Sequence, residues 1–307
     1  MKLGFLTACM PDRSLEEVAA WAAANGYEAL ELAAWPQLGD RPFTASHVKA
    51  EAFAGAEQER VEKALGDHEL VVSALAYYDN NLAPEASERE AYHEHLRQCI
   101  DAAAALGGVP VGTFIGRDPG RSVAENLREA EQVFPPLVDY AGERGVRLMI
   151  ENCVMEGWHP DGYPGNLAYS PELWEWMFSL GLHLNFDPSH LLWLGIEPVE
   201  ALRPYVDHVA HAHAKDAETF DRVRNRFGFF GRMSTREESP WDMGWWRYRI
   251  PGLGQVDFGA YVDTLYEGGF DGVLSVEHED PVWGGTPELV EAGLRIAHNN
   301  LRSLVVA

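Results

Sequence analysis

Residues 209–216 read VAHAHAKD, and residues 183–190 just upstream read HLNFDPSH. Both open as short apolar runs and close on ionisable side chains. The two-residue alternation in the first puts His211, His213 and Lys215 on one face of a strand, with small alanines between them. Residues 147–152, RLMIEN, and residues 273–280, VLSVEHED, have the same build. Working outward, the unit recurs along the chain. Strands are expected at 3–8, 29–33, 71–77, 109–115, 147–151, 183–187, 209–215 and 273–277, with helix-period segments between them. Eight strand–helix units in 307 residues predict a single-domain (β/α)₈ TIM barrel, α/β in class, over residues 1–307. An open dinucleotide-binding sheet is disfavoured. No G-x-G-x-x-G follows the first strand, and Gly252 and Gly254 come too late to supply it.

Start and stop signals support the helices. Ser14 with Glu17, Ser87 with Glu90 and Ser122 with Glu125 have the S-x-x-E spacing of a capping box. Pro171 after Ser170 and Pro287 after Thr286 suit a first helical position, where the missing N–H costs nothing. Asp257 opens a further helix. Gly26, Gly107, Gly145, Gly181 and Gly269 stand where helices should stop.

One segment departs from the rhythm. About residues 217–256 run through RVRNRFGFFGRMSTREESPWDMGWWRYRIPGLGQ, a long aromatic-rich insertion after the seventh strand. Loops of that length are usually functional. It is expected to form a lid or a subunit contact.

Formal net charge is −24, from 24 Lys+Arg against 48 Asp+Glu. Such a field repels phosphate backbones and anionic membranes, so no nucleic-acid partner is expected. No run approaches the roughly 18–20 apolar residues of a membrane span. The N-terminal MKLGFLTACM lacks the form of a signal peptide, which with three scattered cysteines suggests a cytoplasmic setting.

Reacting groups of a (β/α)₈ barrel lie at the C-terminal ends of its strands. Read in order, the last four strands end in Glu151, Asp187, His213 and Glu277. One carboxylate at a strand end commonly just bonds a loop. Three together repel one another, and a divalent cation removes that repulsion. Oxygen donors with one imidazole suit Mn²⁺ first, with Mg²⁺, Co²⁺ or Fe²⁺ as alternatives. Asn185 shares a face with Asp187, and His211 lies one layer deeper than His213. Trp35, Trp158 and His159 fall in mouth loops, where aromatic faces suit sugar C–H surfaces. His278 and Glu279 follow Glu277. Arg222, Arg224, Arg226 and Arg232 are either phosphate binders or surface charges.

The set IEN at Glu151, FDPSH at Asp187–His190, HAKD at His213–Asp216, PGLG at Pro251–Gly254 and VEHE at Glu277 resembles the xylose-isomerase-like barrel superfamily. Within it, the sugar phosphate isomerase/epimerase group is the nearest in pattern, including ketose 3-epimerases and inosose dehydratases. The resemblance spans essentially the whole chain. It implies Glu151, Asp187, His213 and Glu277 as metal ligands. It further implies that Glu151 and Glu277 move a proton next to a carbonyl through an enediolate, that His190 binds a substrate oxygen, and that Lys215 polarises a carbonyl. The expected partner is a small sugar or sugar derivative, and barrels of this kind often form homo-oligomers.

A lyase on an oxo-sugar is the main rival reading, either an inosose dehydratase or the barrel subunit of a C-glycoside deglycosidase. The latter would dock a small β-rich partner, for which the insertion at 241–248 offers a place. A zinc nuclease of the same superfamily would need further histidines on the second and third strands. A non-catalytic sugar-binding barrel would more naturally have lost one of the four ligands, and none is lost.

Overall fold

The computed structural model describes residues 1–36, 45–155, 164–229 and 244–306. Eight parallel strands close into a barrel: β1 (Lys2–Leu6), β2 (Ala29–Ala33), β3 (Val71–Asn80), β4 (Val111–Phe114), β5 (Leu148–Glu151), β6 (His183–Phe186), β7 (Val209–Ala214) and β10 (Val273–Val276). Closure comes from β1 pairing with β10 on one side and β2 on the other. All eight coincide with the expected strands. Only β2 has the expected ends; the others are shorter by one to three residues, except β3, which continues to Asn80 and brings Tyr78 to the barrel mouth.

Helices cover the outside. Leu30 and Leu32 of β2 face them, while Ala29, Glu31 and Ala33 alternate to the interior. Two capping boxes form as expected, Ser14 with Glu17 on α1 (Leu15–Ala24) and Ser122 with Glu125 on α4 (Val123–Gly142). The third does not. Helix α3 (Ala86–Ala105) starts two residues earlier than its serine would require, so Ser87 lies inside the first turn and Glu85 takes the cap position without a side-chain bond. Asp257 caps α9 (Phe258–Glu267), and Thr286 caps α10 (Pro287–Leu301). All five expected glycine stops have positive φ, between 69° and 93°.

Ala74, Met149 and Ala210 pack together although β3, β5 and β7 are not neighbours. That contact crosses the barrel, so the interior is filled rather than open.

Between β7 and β10 the chain adds an antiparallel pair, β8 (Asp216–Thr219) with β9 (Trp246–Arg249), and the short helix α8 (Asp221–Phe227). Its aromatic face packs on α6 (Ser189–Leu194), where the rings of Trp193 and Trp246 stack at 4.4 Å. Residues 230–243 of this segment, including Arg232 and Trp241, lie outside the described residues, as do Trp158 and His159.

Candidate metal and active site

Asp216 explains why the HAKD and PGLG motifs occur together. Its carboxylate accepts from the backbone N–H groups of Gly252, Gly254 and Val256 at 2.8–3.0 Å, which ties the loop before α9 to the end of β7. At Gly254 a Cβ would meet the Asp216 carboxylate at 2.3 Å, so no other residue fits there. Asn152 does similar work between β5 and β6. Its Nδ2 donates to the carbonyl of Asp187 (2.8 Å) and its Oδ1 accepts from the N–H of Asp187 (2.7 Å).

These ties fix the strand ends on which the reactive groups sit. Glu151 is the last residue of β5, and Asp187, Lys215 and Glu277 lie just past the ends of β6, β7 and β10. They converge as expected. His213 Nδ1 lies 3.3 Å from Glu151, 3.4 Å from Glu277 and 3.9 Å from Asp187. His190 reaches the same place from α6, with Nε2 3.4 Å from Glu151 and 3.5 Å from Asp187. Donor atoms of Glu151, Asp187, His190 and Glu277 all lie within 4.8 Å of one another. The site therefore holds five candidate ligands, one more than the sequence pattern of strand ends suggests.

Lys215 is buried among acids. Its Nζ is 2.6 Å from Glu277, 3.1 Å from Glu279 and 3.2 Å from Asp187. Burial disfavours the ammonium, but these carboxylates outweigh it and hold its pKa well above the ordinary value. Burial likewise pushes the Glu151 carboxyl up, yet the His190 and His213 imidazoles bring it down to about 2. For His213, burial opposes the charge while Glu31 and Glu277 favour it, and the balance lies well above the normal histidine range. Glu279 goes the other way, its pKa raised by burial despite Lys215.

Two buried polar atoms at this centre make no hydrogen bond, Asp187 Oδ2 and His190 Nε2. Lys215 Nζ lies 3.2 Å from the first and Glu151 3.4 Å from the second without forming a directed hydrogen bond, and such poorly satisfied buried atoms beside carboxylates and imidazoles fit a cation's coordination sphere.

Above the centre opens a cavity of about 840 Å³. Glu151, Lys215, Glu277 and Glu279 form part of its wall, and Trp35, Tyr78 and Phe114 add aromatic faces. Trp35 is thus at the mouth as expected. Arg222, Arg224 and Arg226 are not in this wall. They lie on α8, where Arg224 pairs with Asp221. His278 packs toward α10 near Gly293 instead of joining the site.

A model of the xylose isomerase-like TIM barrel family matches residues 19–300. The chain belongs to that family. Over 99% of both chains it is 25% identical to an uncharacterised protein, YfiH, of Bacillus subtilis (strain 168). A shorter match, 32% identical over 104 residues, about a third of each chain, is to the inosose dehydratase of Clostridium botulinum (strain Eklund 17B). Among solved structures of the fold, a D-psicose 3-epimerase superposes with a TM-score of 0.70 over 99% of both chains, at 15% identity.

Glu31 was not anticipated from the motifs. It sits on β2 with no exposure, and its Oε2 is 2.9 Å from His213 Nε2. The available signal was a lone acid in the otherwise apolar run ALELAAW, with strand parity pointing inward. Tyr248 was read only as part of the insertion. Its hydroxyl bonds His190 Nδ1 at 2.8 Å.

Proposed function

We propose that this protein is a divalent-metal-dependent isomerase or epimerase of a sugar-like substrate, moving a proton at the carbon beside a carbonyl. The observation that carries this reading is the gathering of three carboxylates within 3.9 Å of one imidazole nitrogen at the floor of an open cavity. Glu151, Asp187, His213 and Glu277 would hold the ion. His213 is favoured over His190 as the imidazole ligand because its far nitrogen rests on a carboxylate, whereas that of His190 meets a neutral tyrosine hydroxyl. Mn²⁺ suits this donor set, and Mg²⁺, Co²⁺ and Fe²⁺ share its preference for oxygen with one imidazole. When bound, the ion supplies Lewis acidity to a carbonyl oxygen and its neighbouring hydroxyl.

The chain's own groups do the rest. Glu151 and Glu277 stand on strands separated by β6 and β7, so they approach a substrate from different sides. One removes the proton next to the carbonyl and the other returns it on the opposite face. Lys215, charged and held between acids, stabilises the negative oxygen of the enediolate. His190 Nε2 holds a substrate oxygen. The rings of Trp35, Tyr78 and Phe114 suit the C–H faces of a sugar.

A lyase is the second reading, favoured by the local match to inosose dehydratases. It shares the proton-removal step and then expels a β-leaving group. Incubation of the Mn²⁺-loaded protein in D₂O with ketoses, inososes and 3-oxo-glycosides, followed by NMR, separates the two. Deuterium on a retained skeleton is expected. Loss of water or of a fragment gives the lyase. Absence of exchange with every compound, in a protein that binds no Mn²⁺, sinks both.

A further inference from the structure

We infer that Glu31 is a positioning residue for the cation site: its carboxylate accepts a hydrogen bond from His213 Nε2–H and so leaves Nδ1, which faces Glu151, Asp187 and Glu277, as the nitrogen that gives up its proton to an ion. The inference rests on the ligand assignment above and adds a residue from the far side of the barrel. Two strands, β1 and β10, lie between β2 and β7, so the contact crosses the interior.

Two groups approach His213 Nε2, the Glu31 carboxylate at 2.9 Å and Asn185 Nδ2 at 3.1 Å; the carboxylate is the nearer, and the Asn185 amide makes its shorter bond, 2.7 Å, to the Tyr78 oxygen. Glu31 Oε2 accepts from Ser275 Oγ (2.9 Å) as well as from His213, and Oε1 accepts from the Tyr78 hydroxyl (2.8 Å). The Tyr78 oxygen in turn accepts from Asn185 Nδ2 (2.7 Å). With its own proton on Glu31, that hydroxyl has no second donor to offer. His211 Nδ1 donates to Asn185 Oδ1 (3.1 Å), and its Nε2 faces Ser73 Oγ (3.0 Å). A carboxylate only accepts, so the proton between Glu31 and His213 belongs to the imidazole. A single imidazole then has one nitrogen left to coordinate, and it is the one aimed at the three acids.

The backbone bends to make this possible. The β2–β3 register shifts between Leu30 and Glu31, and the β6–β7 register shifts between Leu184 and Asn185. Irregularities at these two positions re-aim the side chains that meet under the site. A fully buried carboxylate is expensive, and it persists here with its oxygens bonded to three side chains.

Glu31, His211 and His213 are also near enough to one another to suggest a second ion. The hydrogen bonds argue otherwise. Both nitrogens of His211 and both oxygens of Glu31 already have partners, and an ion would have to displace them.

The test is calorimetric titration of the chelator-treated full-length protein with Mn²⁺, for wild type, Glu31→Gln, Glu31→Leu and Ser275→Ala. Wild type should bind one ion. Glu31→Leu should bind it 10–100-fold more weakly, the usual cost of losing such a partner. Glu31→Gln, which keeps a neutral acceptor, should fall between, and Ser275→Ala should lose least. Long-range ¹H–¹⁵N NMR of histidine-labelled, Zn²⁺-loaded wild type should show His213 protonated at Nε2. Should Glu31→Leu fail to fold, Glu31→Gln and Ser275→Ala carry the ranking. Unchanged affinity in Glu31→Gln, or His213 protonated at Nδ1, overturns the role of Glu31. Two ions in wild type and one in Glu31→Gln overturns it in favour of a second cation site. No Mn²⁺ binding by wild type would instead overturn the ligand assignment itself.

Discussion

At the scale of the residue, identical side chains a few positions apart have different fates. Glu28 and Glu31 both lie in GYEALELAAW. Glu28 stands before the strand and pairs with Arg302 at the surface, while Glu31 is inside the barrel against His213. Strand parity decides this, and parity is legible only once the strand is fixed. Glu151 is the residue on which the proposed chemistry depends most. Glu151→Gln keeps the shape and removes the base. The D₂O exchange rate should fall at least 10²-fold, the lower end for loss of a general base. Exchange at the wild-type rate would remove Glu151 from the mechanism. Asn152 is a quieter case. Asn152→Ala leaves the N–H and C=O of Asp187 buried without partners. At roughly 1–3 kcal/mol for each orphaned group, urea unfolding should show a loss of about 2–6 kcal/mol.

At the scale of the element, the local signals divide into those that suffice and those that need context. The Ser122–Glu125 box forms on α4, and Ser122→Ala should cost about 1 kcal/mol in urea unfolding. The same spacing at Ser87 forms no box, because α3 begins at Ala86. Ser87→Ala should therefore leave stability within about 0.5 kcal/mol, as for an ordinary surface change. The pattern S-x-x-E is necessary for a box, but where the chain enters the helix is set by packing. The pair β8–β9 was legible only as an aromatic interruption. Its contribution is Tyr248, which bonds His190 and lies with its ring 4.5 Å from Lys215 Nζ. Tyr248→Phe removes only the hydroxyl. An orphaned His190 Nδ1 is worth roughly 1–2 kcal/mol, so kcat/KM should drop about five- to thirtyfold with far-UV circular dichroism unchanged. An unaltered kcat/KM would reduce the pair to packing.

At the scale of the whole molecule, barrel closure gathers charges that no single element would tolerate. Glu151, Asp187 and Glu277, with the half-buried Glu279 at the edge, meet one lysine and two histidines. A cation that binds only the folded form stabilises it by mass action. At 100 times its dissociation constant the gain is about 2.7 kcal/mol. Added Mn²⁺ should raise the Tm of chelator-treated protein by roughly 5 °C, and Ca²⁺-free EDTA buffer should reverse the shift. A Tm indifferent to both would count against the site. No helix among the described residues is long and apolar enough to cross a membrane. The eight strands, most helix ends and the order Glu151, Asp187, His213, Glu277 could be read from the sequence alone, because periodicity and capping are properties of neighbours along the chain. Only tertiary structure decided that Glu31 of β2 lies under His213 of β7, and that Tyr248 of β9 fixes His190. Those contacts span 182 and 58 residues, and nothing local encodes them. They follow from the curvature that closes β1 onto β10 and from the register shifts that turn each side chain inward.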